Sequence, residues 1–299
     1  MKKLFIIALV AFGMLACVGK NQSTGNSKSG DHYEMKEGLL RGKFSVSATK
    51  QVQFSQGNLQ YQASSNTWRF ATNQYNVVGA ENANISNSYT GWIDLFGWGT
   101  GDTPTKRIDD ESDYASFTDW GINPISNGGN KANLWRTMTN DEWVYLLFGR
   151  TNAEKLFGLG SVNGVNGIII LPDSWTTPSG LVFCASTVKG LSLNKDGYCL
   201  DPAERNHFAD NTYTVSEWST MESAGAVFFP AAGIRGFNEY YTIEDSGGYW
   251  SSTLADEGVG CCFLFIDYVI PCLIIDGHAI IGYLGSSLRA SVRLVQDVE

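Results

Sequence analysis

Charge, histidine and uninterrupted apolar sequence are all scarce in this chain. Only 17% of its 299 residues are charged, against roughly 25% in an average soluble protein, and acids outnumber bases 30 to 21. Such a surface has little with which to displace counterions from phosphate, which argues against a nucleic-acid partner or binding to an anionic membrane surface. The three histidines, His32, His207 and His278, stand far apart. No His-x3-His or paired Cys-x2-Cys spacing accompanies them, so no metal site is expected. The apolar stretch from Cys261 to Gly285 is broken by Asp267, Pro271, Asp276 and His278, short of the roughly 18 apolar residues a membrane-spanning helix needs. It reads as core strands instead. No fixed-period repeat is present, and Phe96-Gly-Trp-Gly99 occurs once, which excludes a propeller or solenoid.

What fills the gap is glycine, neutral polar residues and aromatic rings. The chain has 33 glycines and nine tryptophans, and 43% of its residues are hydrophobic, enough for a sizeable core. Apolar residues recur with period two at Phe44 and Val46, Val52 and Phe54, Leu59 and Tyr61, and Trp68 and Phe70. This spacing, with turn residues between bursts, predicts an antiparallel meander. Further strands are expected at Ile168 to Leu171, Val227 to Phe229, Tyr249 to Thr253, Cys262 to Ile266 and Ala290 to Val295. Two helices are marked by capping boxes, Thr139-Asn-Asp-Glu142 and Thr214-Val-Ser-Glu217, in which hydroxyl and carboxylate satisfy the orphan N–H groups of the first turn. Trp143, Leu146 and Leu147 form the inward face of the first. Trp218 and Met221 form that of the second, which Gly225 closes. The predicted class is α+β, mainly short antiparallel strands with two helices and long loops. The longest irregular region, about 71–133, is rich in Gly and aromatics.

The first residues carry their own signal. Lys2 and Lys3 precede the apolar stretch Leu4 to Ala16, and Cys17 follows at once, the layout of an export signal. The cysteine after Leu15-Ala16 looks like a lipobox, so residues 1–16 are expected to be removed and Cys17 acylated. A plain secretory signal with a structural thiol is the alternative. Loss of Lys2 and Lys3 would leave 19 bases against 30 acids, a charge near -11. Residues 17–42 read as a flexible tether and 43–299 as one domain.

The ordered series Trp135-Arg-Thr-Met-Thr-Asn-Asp-Glu-Trp143, Thr214-Val-Ser-Glu-Trp218, Phe229-Pro-Ala-Ala-Gly-Ile-Arg235, Gly248-Tyr-Trp-Ser-Ser-Thr253 and Ser291-Val-Arg-Leu-Val295 resembles the Fibrobacter succinogenes major paralogous domain family. Relatives of that family are abundant in lipoproteins of Bacteroidetes-type bacteria. Phe54-Ser-Gln-Gly-Asn-Leu59 and Gly91-Trp-Ile-Asp-Leu-Phe-Gly-Trp98 are similar to the segment that precedes this domain in such lipoproteins. The resemblance implies a C-type-lectin-like fold, akin to the formylglycine-generating enzymes, and an outer-membrane lipoprotein on the periplasmic face or the cell surface.

The chemistry of either relative is weakly represented. The Cys-x4-Cys pair expected of a formylglycine-generating site is missing, as are the Glu-Pro-Asn, Gln-Pro-Asp and Trp-Asn-Asp motifs of calcium-dependent lectins. Asp109, Asp110, Glu111 and Asp113 read as a solvated loop. Ser251 and Ser252 lack a nucleophile-elbow context. Two readings of the cysteines stand open: disulfides Cys184–Cys199 and Cys262–Cys272, with Cys261 left over, or buried free thiols. Arg235 and Arg293 are read as pinning loops to the core.

This leaves Trp92, Trp98 and Trp120, which lie among Gly, Asp, Asn and Thr, as candidate ligand-binding rings. Their alternative role is to anchor the long loop. The expected function is non-catalytic recognition of a glycan or protein ligand, with neither cofactor nor metal, and with the lipid anchor as the membrane contact. A structural or adhesion subunit is the alternative, and a formylglycine-generating type of enzyme is third.

Overall fold

The computed structural model describes residues 37–106, 116–186, 207–236, 246–254 and 288–299 in full, and the backbone of 192–194, 197–199, 240–241, 269–275 and 279–285. All belong to one compact unit, Met35–Glu299. Among these residues the protein is mixed α+β, with short, mostly antiparallel strands and two α-helices.

The period-two bursts form the first strands. Gln51–Phe54 pairs antiparallel with Phe44–Ser45 on one edge and with Val295–Asp297, near the end of the chain, on the other. Leu59–Gln62 and Thr67–Phe70 form a hairpin in which Gln60 faces Arg69 and Tyr61 faces Trp68. Asn66, at φ 47°, turns the chain between them. Asparagine tolerates this left-handed conformation better than most side chains.

A four-stranded sheet orders Thr212–Tyr213, Phe157–Val162, Val165–Ile170 and Val227–Pro230, the first pair parallel and the others antiparallel. Both of its faces are covered. Ile168, Ile170, Val227 and Phe229 enter one core cluster, while Ile169 and Phe228 enter another. Burial on both faces is why residues 168–171 read as a continuous apolar run.

Both capping boxes form. Thr139 Oγ1 accepts from Glu142 N and Glu142 Oε2 accepts from Thr139 N, opening helix Asn140–Val144. That helix continues as a π-helical turn, Tyr145–Gly149, and Trp143, Leu146 and Leu147 are buried as expected. Thr214 and Glu217 repeat the exchange at helix Val215–Ser223, which buries Trp218 and Met221. Gly225, at φ +102°, terminates it in a conformation that a Cβ would strain.

Two expectations about boundaries change. The tether expected over 17–42 reaches less far, because Leu40 is buried in the first core cluster and its N–H donates to Phe54 O at 2.9 Å. Leu39 also bridges Ser55. Two adjacent leucines are enough to dock this stretch although its neighbours are polar. The strand expected over Ala290 to Val295 is divided into Arg289–Ala290 and Val295–Asp297. The strand expected at Cys262 to Ile266 lies outside the described residues.

Candidate functional site

The three loop tryptophans have different fates. Trp98 and Trp120 are buried, at 4% and 0% exposure, in the second core cluster. Phe117 packs between them, with ring centroids 5.0 Å from Trp98 and 5.8 Å from Trp120, and Trp98 Nε1 donates to Ser251 O at 2.8 Å. Neither ring offers a free face, which corrects the expectation that they bind a ligand. Their polar neighbours are used internally. Asp119 Oδ1 accepts from Gly121 N and from Thr137 Oγ1, and its Oδ2 accepts from Thr137 N, closing the Trp120–Ile122 turn against the chain at Thr137. Gly121 is required there, since a Cβ would meet Trp135 O at 1.9 Å.

Trp92 is the exception and stays partly exposed. It is positioned by the Tyr61–Ile93 bridge, in which Tyr61 N–H and Ile93 N–H each donate to the other's carbonyl over 2.9 Å. Tyr61 and Ile93 point into the core. By strand alternation Gln60, Arg69 and Trp92 stand on the opposite side. The Arg69 guanidinium carbon lies 3.6 Å from the Trp92 ring centroid, a close cation–π stack. Arg69 Nε donates to Gln60 Oε1 at 2.9 Å. Partial burial lowers the Arg69 pKa from its ordinary value but leaves the group a cation, as arginine is throughout the accessible pH range.

The loop carrying Trp92 is tied at its root by a buried carboxylate. Asp94 Oδ2 accepts from Val78 N at 3.0 Å and its Oδ1 from Asn82 Nδ2 at 2.7 Å. Burial pushes the Asp94 carboxyl up to about 6, opposed by the hydrogen bonds from Asn82 and Val78. Nearer the loop tip, Tyr89 Oη donates to Glu81 Oε2 at 2.7 Å. That carboxylate raises the phenol's pKa, since losing the proton would place a second anion beside it.

Arg69 and Gln60 had no part in the sequence-based site, although a signal for them existed. Each falls between inward residues, Gln60 between Leu59 and Tyr61 and Arg69 between Trp68 and Phe70. A hairpin register drawn through residues 64–66 brings them face to face.

The remaining candidates are distributed as follows. Cys184 is an exposed free thiol, so the Cys184–Cys199 disulfide is not formed. Its backbone N–H is occupied by Asn211 Oδ1 at 2.7 Å. Cys272 lies on strand Val269–Ile275, opposite Trp250 on one side and Gly282 on the other. Cys17, Cys261, Cys262 and the acidic run at 109–113 lie outside the described residues.

Arg293 is fully buried, with Nη2 donating to Gln74 Oε1 at 2.8 Å and Nη1 to Asn58 Oδ1 at 3.3 Å. It serves the core, as does Arg235, which is buried on strand Ile234–Arg235. Among the described residues no three His, Cys, Asp or Glu side chains converge as metal ligands, and no helix is long and apolar enough to cross a membrane.

The site and fold together define an α+β protein with one ring-and-guanidinium surface on its β-hairpin side. Comparison of the chain with protein-family models, with curated proteins and with solved structures finds no match to any of the three.

Proposed function

We propose that this chain is a lipid-anchored protein of the bacterial outer membrane whose C-type-lectin-like domain recognises a glycan or protein ligand and performs no catalysis. The lipobox-like Leu15-Ala16-Cys17 and the ordered motifs between Trp135 and Val295 support the anchor and the fold family. Short antiparallel strands, two capped helices and long packed loops are compatible with that family. The observation that carries the recognition reading is the Trp92 surface. Seven of the nine tryptophans are buried, whereas Trp92 is partly exposed beside the isolated Tyr61–Ile93 bridge, stacked on a guanidinium. The other partly exposed indole, Trp175, packs beside the third core cluster and donates to Thr177 Oγ1 at 3.1 Å. A partly exposed flat ring edged by polar groups is the arrangement that grips a sugar ring or a peptide.

The test is a glycan and envelope-protein array probed with the full-length protein and with Trp92→Ala. Binding that depends on the ring supports the reading, and identical profiles for the two proteins would remove it.

A further inference from the structure

We infer that the Arg69–Trp92 surface is a receptor for a carboxylate-bearing saccharide; this rests on the recognition reading above and names its ligand class. The argument is a census of polar groups on that surface. Several acceptors there are already in use. Gln60 Oε1 takes Arg69 Nε, and Gln62 Oε1 takes Ser65 Oγ at 2.6 Å. The carbonyl of Thr90 takes Gln62 Nε2, and that of Ser65 takes Thr67 Oγ1. Several donors beside the ring remain. Among the described residues no protein group accepts from Arg69 Nη1 or Nη2 or from Trp92 Nε1. A guanidinium edge with both terminal nitrogens unused, beside an unused indole N–H, is complementary to an oxyanion.

The cation is also unusual for this protein. Arg136 is paired with Glu142 and Asp297, and Arg150 with Asp173, while Arg293 is held in the core by amides. Among the described residues Arg69 forms no ion pair, in a chain where acids outnumber bases 30 to 21. Its Nε is fixed instead by a neutral oxygen and its plane rests on an indole. Much of the side-chain freedom an arginine loses on binding has therefore already been lost on folding. The free edge of the guanidinium is the two-pronged fork that matches a carboxylate.

A saccharide fits the rest of the surface better than a peptide does. The exposed large apolar residues Val77, Ile122, Val182, Val215 and Leu254 are not among the groups that form this surface. A peptide's apolar side chains would therefore have little beyond the indole and the Tyr89 ring to occupy. Trp92 Nε1 suits a ring or hydroxyl oxygen beside the carboxylate.

The test follows the indole N–H signals of the full-length protein, nine in number, with that of Trp92 assigned by Trp92→Phe. Tetragalacturonate is titrated beside its fully methyl-esterified form, which keeps the sugar skeleton and removes the charge, and beside tetraglutamate, which carries carboxylates on a peptide. The expected result is a saturable shift of the Trp92 signal with tetragalacturonate alone. Affinity should fall at least tenfold in Arg69→Gln and several-fold in Arg69→Lys, which retains charge without the fork. The other eight indole signals report whether each variant is folded. Equal binding of the methyl ester, or undiminished binding by both Arg69 variants, would overturn the anionic class while leaving recognition at Trp92 intact. A response to tetraglutamate alone would overturn the saccharide. If no probe moves the Trp92 signal the inference fails, whereas the broader reading stands or falls on the array with Trp92→Ala.

Discussion

Asp94 and Asn82 hold each other across the root of the Trp92 loop: Asn82 Nδ2 donates to the Asp94 carboxylate at 2.7 Å, and Asn82 Oδ1 accepts from the Asp94 backbone N–H at 2.8 Å. Asn82 Oδ1 also accepts from Leu95 N at 3.0 Å, so one buried amide fixes both the carboxylate and the strand that bears it.

A pH dependence follows from that carboxylate. Its pKa is raised by burial from 3.8 to about 6, so between these values the folded state binds the proton more tightly than the unfolded state does. Stability from this group is complete below the lower value and is lost as pH rises through the upper one. The shift corresponds to about 3 kcal/mol. Asp173 and Asp297 act in the opposite sense. Their pKa values are lowered, that of Asp173 by bonds from Ser45, Gln51 and Arg150 that outweigh its burial, and that of Asp297 chiefly by the bond from Arg136. Their stabilisation is present above the unfolded pKa and lost as pH falls through the folded one. Thermal unfolding should therefore show a midpoint that rises from pH 7 to pH 5 and falls below about pH 4. A midpoint that declines steadily from pH 7 downward would contradict the assignment of Asp94.

The tryptophans should separate by stability as well as by binding. Trp98→Ala and Trp120→Ala each empty a large buried volume and are expected to cost about 3–5 kcal/mol. Trp92→Ala removes a partly exposed ring and its cation–π contact, a loss of about 1 kcal/mol. Urea unfolding of the three variants checks the order. A Trp92 variant as unstable as the other two would place that ring in the core.

Arg293 gives a third prediction. Burial lowers its pKa to about 10, partly opposed by the neighbouring Tyr249 and Glu222, so at neutral pH the fold carries a strained cation. Its Nε has no partner among the described residues, and the other nitrogens meet only amide oxygens. Replacement of inadequately compensated buried charge by an apolar side chain of similar length is often neutral or stabilising. Arg293→Met is expected to match or exceed the wild-type midpoint in thermal unfolding, while Arg293→Ala, which leaves a cavity, should fall below it. A loss in Arg293→Met as large as that in Arg293→Ala would mean that the hydrogen bonds outweigh the desolvation.

The sequence was most informative where the chemistry is local. Both capping boxes depend on residues three apart, and both form as read. The period-two bursts likewise became the first strands, since alternation needs only one buried face. Trp98 and Trp120 were misjudged because polar flanks do not reveal where their hydrogen bonds go. Asp119 spends its carboxylate on Gly121 and Thr137, a partner far along the chain that composition cannot disclose. Spacing along the chain likewise does not determine thiol pairing, and Cys184 is a free thiol. The Trp92 surface was half legible. Trp92 stood out as a ring, while its partner Arg69 became apparent only when the hairpin register set it opposite Gln60.

The end of the chain is clamped to the first helix through one arginine. Arg136 Nη1 and Nη2 donate to the two carboxylate oxygens of Glu142 at 2.7 and 2.8 Å, and Nη2 also reaches Asp297 Oδ1 at 2.6 Å. Glu142 Oε2 is at the same time the acceptor that completes the helix cap at Thr139. The backbones join too, with Arg136 N–H and Val295 N–H each donating to the other's carbonyl. Burial lowers the Arg136 pKa, but the two carboxylates more than offset this and raise it on balance. Because the Glu142 side is largely buried and the Asp297 side is 60% exposed, the two halves should differ in strength. Asp297→Asn is expected to cost under about 1 kcal/mol. Arg136→Ala, which leaves Glu142 without its countercharge, should cost about 2 kcal/mol, less than a fully buried pair. Amide hydrogen exchange adds a readout specific to the clamp, since Val295 should lose protection in Arg136→Ala and keep most of it in Asp297→Asn. Equal losses in the two variants would show that the helix side contributes nothing.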